Sequence, residues 1–232
     1  LGWRDVGWHG SEVETPNLDR IAGKGVALER FYVHPICSPT RAAVMTGKSP
    51  ARLGIARPIS KLDPGGLPLS EKILPQYMAA AGYQPLMTGK WHLGHHKKFL
   101  PMQHGFDDYF GLPYSNDMWP YHPGVLHLPM EQRLKRWTHL PLIDGNKVIN
   151  PKVTGKDQEQ LTTQYTERAV SFIEKNKERP FFLYVPHSMV HVPLYVSEKF
   201  KGKSKAGLFG DVMMEVDWSV GRILGTLRKH KL

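Results

Sequence analysis

The fold is decided by the stretch ILPQYMAAAGYQPLMTGKWHLG, residues 73–94. Its first part predicts a short helix from Ile73 to Ala81, with Pro75 in the first turn and Gly82 as the stop. The apolar segment from Pro85 to Thr88 then predicts a buried strand. A helix followed by a buried strand is the step that α/β folds repeat.

The rest of the chain continues this alternation of helix and strand signals. One helix is predicted to start at Thr15-Pro16, with Thr15 as the N-cap, and to stop at the glycines at 23 and 25. Further helices are predicted after Ser38-Pro39, from Thr162 to Lys175 and from Phe209 to Leu227. Strands are predicted over Val26–Val33 and over Pro180–Val185, and the second of these is expected to be covered on both faces. The pattern indicates the α/β class, with a mostly parallel sheet flanked by helices. Residues 112–160 have weak periodicity, and we interpret them as a long excursion over the active-site face.

Composition and charge narrow the class of protein. The 232 residues have an ordinary globular composition and a formal net charge of +10. This charge favours anionic partners, although each lysine run is also consistent with a solvated surface. No nucleic-acid-binding motif, membrane-length apolar stretch or signal-peptide pattern appears. With one cysteine and no Asn-x-Ser/Thr acceptor, a bacterial protein is the simpler expectation.

The single cysteine, Cys37, opens the pentapeptide Cys-Ser-Pro-Thr-Arg, which ends at Arg41. Ser38-Pro39 can start a helix, which places Cys37 at a helix N-terminus where backbone N–H groups favour an anion. One interpretation is a nucleophilic thiolate beside a guanidinium. A cysteine phosphatase, however, needs a phosphate-binding loop of about five residues between Cys and Arg. Here only three residues intervene.

Polar side chains also follow two predicted strands. Lys90 and His92 lie two residues apart just after the strand that ends at Thr88, so both side chains point to the same side of the chain. His187 and His191 follow the strand that ends at Val185. A histidine of ordinary pKa can donate a proton near neutral pH, so these positions are candidates for acid–base chemistry.

Three segments together carry a family resemblance. Cys37–Arg41, Gly82-Tyr83 and Gly89–Gly94 resemble the signatures of the sulfatase family. The resemblance implies an alkaline phosphatase-like domain that hydrolyses sulfate monoesters. It also implies that a formylglycine-generating enzyme oxidises Cys37 to Cα-formylglycine, an aldehyde whose hydrate is the catalytic nucleophile.

The resemblance implies further roles at the matching positions. Arg41 and Lys90 stabilise the charge of the sulfate group, and Lys90 contacts its oxygens. His92 handles the proton of the formylglycine hydrate. His191 donates a proton to the leaving-group oxygen, with His187 as the alternative for that role.

The segment from Gly111 to Asp117 resembles the part of the family whose serine hydrogen-bonds near the sulfate. Ser115 is therefore expected to bind substrate. Asn116 and Asp117 are residue types that form turns, and we interpret them as such rather than as catalytic residues.

The resemblance also implies a calcium-type cation held by two pairs of polar, mostly carboxylate, side chains. Both pairs are expected outside residues 1–232, so Cys37, as formylglycine, is the one ligand expected here. We interpret residues 1–232 as part of a single catalytic domain, incomplete at both ends, without the first metal-ligand pair, the later metal-ligand strand and the C-terminal subdomain. The 232 residues alone are therefore expected to be inactive.

The substrate implied by the resemblance is a sulfated carbohydrate or an aryl sulfate, met in an extracytoplasmic (periplasmic or secreted) location, with no nucleic-acid or membrane partner. Two alternatives stay open. One is a phosphomonoester or phosphonate hydrolase of the same superfamily, and the other is a degenerate module that binds sulfated glycans without turnover.

Overall fold

A computed structural model describes all 232 residues. Its elements are, in chain order, α1 (Pro16–Lys24), α2 (Cys37–Thr46), α3 (Leu74–Ala80), β1 (Gln84–Thr88), β2 (Asp108–Gly111), α4 (Met130–Arg136), β3 (Leu142–Asp144), β4 (Lys147–Asn150), α5 (Gly155–Asn176), β5 (Phe181–Tyr184) and α6 (Gly207–Lys229). No helix combines the length and the apolar composition that crossing a membrane requires.

The chain forms two compact units. The sheet unit comprises Val33–Val153 and Glu178–Pro186, and the helical unit comprises Leu1–Tyr32, Thr154–Lys177 and His187–Leu232. Every strand belongs to the sheet unit, whereas α1, α5 and α6 belong to the helical unit.

The sheet has five strands in the order β4-β3-β2-β1-β5. β1 pairs in parallel with both β2 and β5, so it is flanked on each side. β2 with β3 and β3 with β4 pair antiparallel, which makes the sheet mixed. The α/β class predicted from the alternating pattern is confirmed, and β1 and α3 begin and end within one residue of their predicted bounds.

The core of the sheet unit forms around β1. Leu86 and Met87 of this strand are fully buried, and Met87 packs in a cluster with residues of α2 and of β2, including Ala42, Met45 and Tyr109. Burial of these side chains fixes the position of α2 relative to the sheet, because close-packed interiors leave little room for sliding. The first residue of α2 is Cys37, so this packing also positions the cysteine.

The helical unit is held by polar contacts as well as by apolar packing. Met189, Val196 and Val212 form a small apolar core. Between α5 and α6, Thr166 Oγ1 donates a hydrogen bond to Ser219 Oγ at 2.6 Å, and Thr163 Oγ1 donates to Glu215 Oε1 at 3.2 Å. These buried groups satisfy one another, which is what burial of polar atoms requires.

The start of α1 is capped differently from the expectation. Thr15 is the N-cap residue but makes no capping hydrogen bond, and its hydroxyl donates to Asp19 Oδ1 at 2.9 Å. The carboxylate of Asp217, on α6, instead accepts hydrogen bonds from the backbone N–H groups of Asn17 and Leu18 at 3.0 and 2.9 Å. The helix ends at Gly25, as expected, and runs through Gly23.

The strand predicted over Val26–Val33 is wrong. These residues form a turn and irregular chain, and Val26 and Tyr32 are 85% and 87% exposed. The β-branched and aromatic composition favours a strand, but a strand exists only where it is paired, and no strand of the sheet pairs with this segment.

Two further expectations need correction. β5 lies at an edge of the sheet and its four residues are half-buried, so it is not covered on both faces. The excursion at residues 112–160 contains α4 and the hairpin formed by β3 and β4. Gly145, with φ of +58°, and Asn146 are the two residues of the hairpin turn, and a Gly-Asn pair between two strand-like runs is a signal that predicts such a turn.

Candidate active site

The candidate site begins where β1, β2 and β5 end. Beyond β1, the backbone N–H of Gly89 donates to Phe110 O at 2.8 Å and that of Lys90 to Pro186 O at 2.8 Å. A side chain at Gly111 would overlap the carbonyl oxygen of Gly89, and one at Gly89 would overlap that of Pro186. Glycine at 89 and 111 therefore lets the three strand ends approach closely enough to hold Lys90 between them.

Lys90 is the buried cation of the site. Its side chain is 2% exposed, and its Nζ donates to Ser115 Oγ at 2.8 Å. Burial and, to a smaller extent, Arg41 lower its pKa to about 8, while Cys37 and Asp117 act in the opposite direction. At pH 7 the ammonium therefore stays protonated, close to both Cys37 and Arg41.

Arg41 connects the cysteine helix to the segment after β1. Its Nη1 donates to the carbonyl oxygen of Lys90, and a longer contact of 3.4 Å reaches that of Trp91. Cys37 and Arg41 are four residues apart on α2, so they lie on the same face of the helix. Cys37 is a free, half-buried thiol at the first position of this ten-residue helix, as the sequence predicts.

Hydrogen bonds hold both the backbone and the imidazole of His92. Ser38 Oγ donates to the carbonyl oxygen of His92 at 2.8 Å and accepts from the backbone N–H of Ile59 at 3.0 Å. The imidazole Nε2 of His92 donates to Ile59 O at 3.1 Å, which leaves Nδ1 as the acceptor nitrogen of the neutral ring. With φ of +61°, His92 is in the left-handed region, a conformation in which histidine is enriched among non-glycine residues.

Asp117 is a residue that the sequence analysis placed only in a turn. It does lie in a turn, together with Asn116. Its carboxylate also raises the pKa of Lys90, and its Oδ1 is buried without a hydrogen-bond partner. Nothing in the local sequence distinguishes this aspartate from an ordinary turn residue, because its proximity to Lys90 depends on where β2 ends.

The sheet unit contains five of the expected residues, Cys37, Arg41, Lys90, His92 and Ser115. Hydrogen bonds and electrostatic interactions join Cys37, Arg41, Lys90 and Ser115, whereas His92 is joined to the cysteine helix through its backbone oxygen. His187 and His191 belong to the helical unit. His187 Nε2 lies 3.1 Å from Ser219 Oγ, its Nδ1 is buried without a partner, and burial lowers its pKa to about 4. His191 is half-buried, and its Nδ1 donates to Val192 O at 2.6 Å.

The donor set does not fit a calcium ion. Calcium takes six to eight oxygen ligands, several of them carboxylates. No three His, Cys, Asp or Glu side chains of these 232 residues converge in a way that can hold a metal. The chemistry available near Cys37 is therefore a helix N-terminus, the Lys90 ammonium, the Arg41 guanidinium and the Ser115 hydroxyl.

Comparison with known proteins gives consistent results. The family model described as Sulfatase matches residues 1–232. N-acetylgalactosamine-6-sulfatase of Sus scrofa is 39% identical over 250 residues, which cover 100% of this chain and 46% of that protein. The chain thus spans about half the length of the curated relatives it matches.

Solved structures show the same fold. The PsFucS1 sulfatase from Pseudoalteromonas sp. superposes with a TM-score of 0.88 at 28% identity, over 100% of this chain and 50% of that one. Ps i-CgsB in complex with k-i-k-neocarrahexaose gives a TM-score of 0.81 at 27% identity, over 100% of this chain and 53% of that one.

Proposed function

Since the chain belongs to the sulfatase family, we propose that the protein hydrolyses sulfate monoesters, with a nucleophile formed from Cys37. The observation that carries the proposal is the convergence of two cations on the N-terminus of α2. Lys90 is buried close enough to interact electrostatically with Cys37, and Arg41 lies one helical turn beyond Cys37. A sulfate group at this position meets charges of opposite sign and backbone N–H donors together.

Maturation converts Cys37 before catalysis. A formylglycine-generating enzyme oxidises the β-carbon from a thiol-bearing methylene to an aldehyde, with dioxygen as the oxidant, and the sulfur leaves as hydrogen sulfide. The aldehyde takes up water to give two hydroxyls on one carbon. One hydroxyl attacks the sulfur of the ester, and the bond from sulfur to the alcohol oxygen breaks.

Arg41, Lys90 and Ser115 bind the sulfate in this first step. The Lys90 ammonium is already fixed by its 2.8 Å hydrogen bond to Ser115, so little reorganisation is needed as charge shifts to the departing oxygen. Removing one fixed donor of this kind lowers the rate by about 10²- to 10³-fold.

We assign the leaving-group acid to His191 rather than His187. A group with a pKa of about 4, such as His187, is neutral at pH 7 and holds no proton to give as an imidazolium. His191 donates through Nδ1 to Val192 O, so Nε2 is the nitrogen that takes up and delivers a proton.

His92 completes the cycle. The covalent hemisulfate keeps a second hydroxyl on the former aldehyde carbon. Removal of its proton by His92 Nδ1 expels sulfate and restores the aldehyde, which a serine or cysteine ester has no means of doing. No step is assigned to calcium, because these residues do not form a site for it.

We place the substrate among sulfated carbohydrates and the protein outside the cytoplasm. The similarity to N-acetylgalactosamine-6-sulfatase and to a structure that holds a neocarrahexaose supports the carbohydrate. The net charge of +10 is consistent with a polyanionic ligand.

The test is mass spectrometry of the peptide that contains Cys37, after co-expression of the full-length protein with a formylglycine-generating enzyme. A loss of about 18 Da relative to the cysteine peptide is expected for the aldehyde. Turnover of para-nitrophenyl sulfate should exceed that of para-nitrophenyl phosphate and should disappear in Cys37→Ala. An unmodified thiol together with faster phosphate turnover would overturn the proposal.

A further inference from the structure

The loop at residues 57–63 is attached to the site but has no role in the chemistry above. Its backbone at Ile59 is held by Ser38 and His92, at 3.0 and 3.1 Å. The loop is closed on itself by an ion pair of 2.6 Å between Arg57 and Asp63. These contacts fix the loop, and with it Lys61, next to the cysteine helix and His92.

Lys61 is a cation that this loop leaves uncommitted. Its Nζ lies 5.8 Å from the centroid of the Tyr114 ring, within the range of a cation–π contact, and it makes no ion pair and no hydrogen bond. The acid nearest in sequence, Asp63, is bound to Arg57 and to the backbone N–H of Ser60. Lys61 is half-buried, and burial alone lowers its pKa.

Two histidines contact the same tyrosine, one through its ring and one through its backbone. The His95 ring packs edge-on against Tyr114, with 5.9 Å between ring centroids, and its Nδ1 is buried without a hydrogen-bond partner. Tyr114 OH donates to the backbone oxygen of His139 at 2.9 Å. We call Lys61, His95, Tyr114 and His139 the Tyr114 cluster.

The electrostatics of the Tyr114 cluster favour an anion. Burial, then His96 and Lys61, lower the pKa of His95 to about 4, and only Asp63 opposes them. Burial, then Lys152 and Lys61, lower the pKa of His139. Positive charge therefore outweighs negative charge around the ring, and neutral imidazoles beside it can act as hydrogen-bond donors.

The position of the cluster shows what it can bind. Tyr114 directly precedes Ser115, whose hydroxyl receives the Lys90 ammonium. The Tyr114 cluster therefore adjoins, on the same segment, the position proposed for the first anionic group of a ligand.

We propose that Lys61, with His95 and His139, binds a second oxyanion of the substrate, a sulfate or a carboxylate carried by the same saccharide. The proposal rests on the proposed function, because it takes Lys90 and Ser115 as the position of the first sulfate. Lys61 then determines specificity for sugars with two acidic groups over sugars with one.

The test measures binding rather than turnover. In the full-length protein with Cys37→Ala, calorimetry gives the Kd for N-acetylgalactosamine-6-sulfate, for the same sugar with a second sulfate, and for a monosulfated disaccharide that contains a uronic acid. The last two ligands distinguish a sulfate from a carboxylate as the second group. The background variant cannot form the nucleophile, so failure of hydrolysis and failure of second-anion binding are separate observations.

We expect the ligands with a second acidic group to bind more tightly, and Lys61→Met to reduce that preference about tenfold, which corresponds to about 1.4 kcal/mol. Lys147→Met is the matched control, because it removes the same charge from an exposed position on β4. It should keep the preference.

Lys61→Arg keeps the positive charge and should retain most of the preference, which separates lost charge from misfolding. A preference that is unchanged in Lys61→Met, or reduced equally in Lys147→Met, overturns the proposal. Equal binding of all three ligands by the parent also overturns it.

Discussion

Replacing the buried Lys90 by methionine should lower kcat strongly while making the fold more stable. The side chain is 2% exposed, and burial is the main reason that its pKa falls from 10.5 to about 8. A change of one pKa unit corresponds to about 1.36 kcal/mol, so holding this charge in the folded state costs about 3 kcal/mol at pH 7. Methionine has a similar length and carries no charge.

Part of that cost is offset by the hydrogen bond from Lys90 Nζ to Ser115 Oγ, which is charge-assisted and contributes about 1.5–3 kcal/mol. Lys90→Met also leaves the buried Ser115 hydroxyl without this donor. Subtracting the contribution of the hydrogen bond from the cost of about 3 kcal/mol leaves an expected net gain in the free energy of unfolding of about 0–1.5 kcal/mol. We expect it together with a loss of about 10²- to 10³-fold in kcat.

The pH dependence of stability independently checks whether the Lys90 charge destabilises the fold. The folded-state pKa is below the unfolded one, so the penalty is fully present below pH 8 and is relieved as pH rises from about 8 towards 10.5. The parent should gain stability relative to Lys90→Met over that interval.

The assays, made on the full-length protein, are urea unfolding at pH 7 and pH 9.5 and steady-state kinetics on para-nitrophenyl sulfate. Ser115→Ala serves as the control, because it keeps the buried ammonium but removes its acceptor, and it should lower stability. The reasoning is refuted if Lys90→Met lowers the free energy of unfolding by 2 kcal/mol or more.

Three other predictions concern stability and metal binding. His104 is 1% exposed, and burial lowers its pKa to about 4, so the free energy of unfolding should fall as pH drops from about 6.5 to 4. In urea unfolding, His104→Phe should reduce the slope of that free energy against pH by about 1.4 kcal/mol per pH unit, which corresponds to one proton. Asp217→Ala should destabilise the helical unit by about 1–2 kcal/mol through loss of the cap of α1, while the exposed Glu198→Ala should have little effect. Calcium at about 1 mM should leave the Tm of the 232-residue chain unchanged, because no cluster can hold it; a rise of several degrees would contradict this.

Local sequence predicted those features whose cause lies within a few residues. Ser38-Pro39 after Cys37 starts α2, and the apolar run from Pro85 gives β1. Placement of Lys90 and His92 just beyond that strand follows from the same run. Each of these features depends on a periodicity or a helix start that the local sequence alone contains.

Features that depend on distant partners were missed. The cap of α1 comes from Asp217, two hundred residues further along the chain, whereas the local candidate Thr15 makes no capping hydrogen bond. Val26–Val33 has the composition of a strand but no paired neighbour. Pairing and capping across such separations leave no local signal, so a single sequence cannot decide them.

The candidate site illustrates why the cysteine motif by itself is not an active site. Cys37 and Arg41 supply a helix N-terminus and one charge, but the buried ammonium comes from the end of β1 and its acceptor from beyond β2. These segments are held together by contacts outside the motif, such as Ser38 between His92 and Ile59.

Two glycines make this arrangement possible, because a side chain at 89 or 111 would separate the strand ends that enclose Lys90. Burial between those ends keeps the ammonium fixed for an anion, and the same burial lowers its pKa and weakens the fold. Lys90→Met is therefore expected to lower activity and raise stability for the same structural reason, the close approach of β1, β2 and β5.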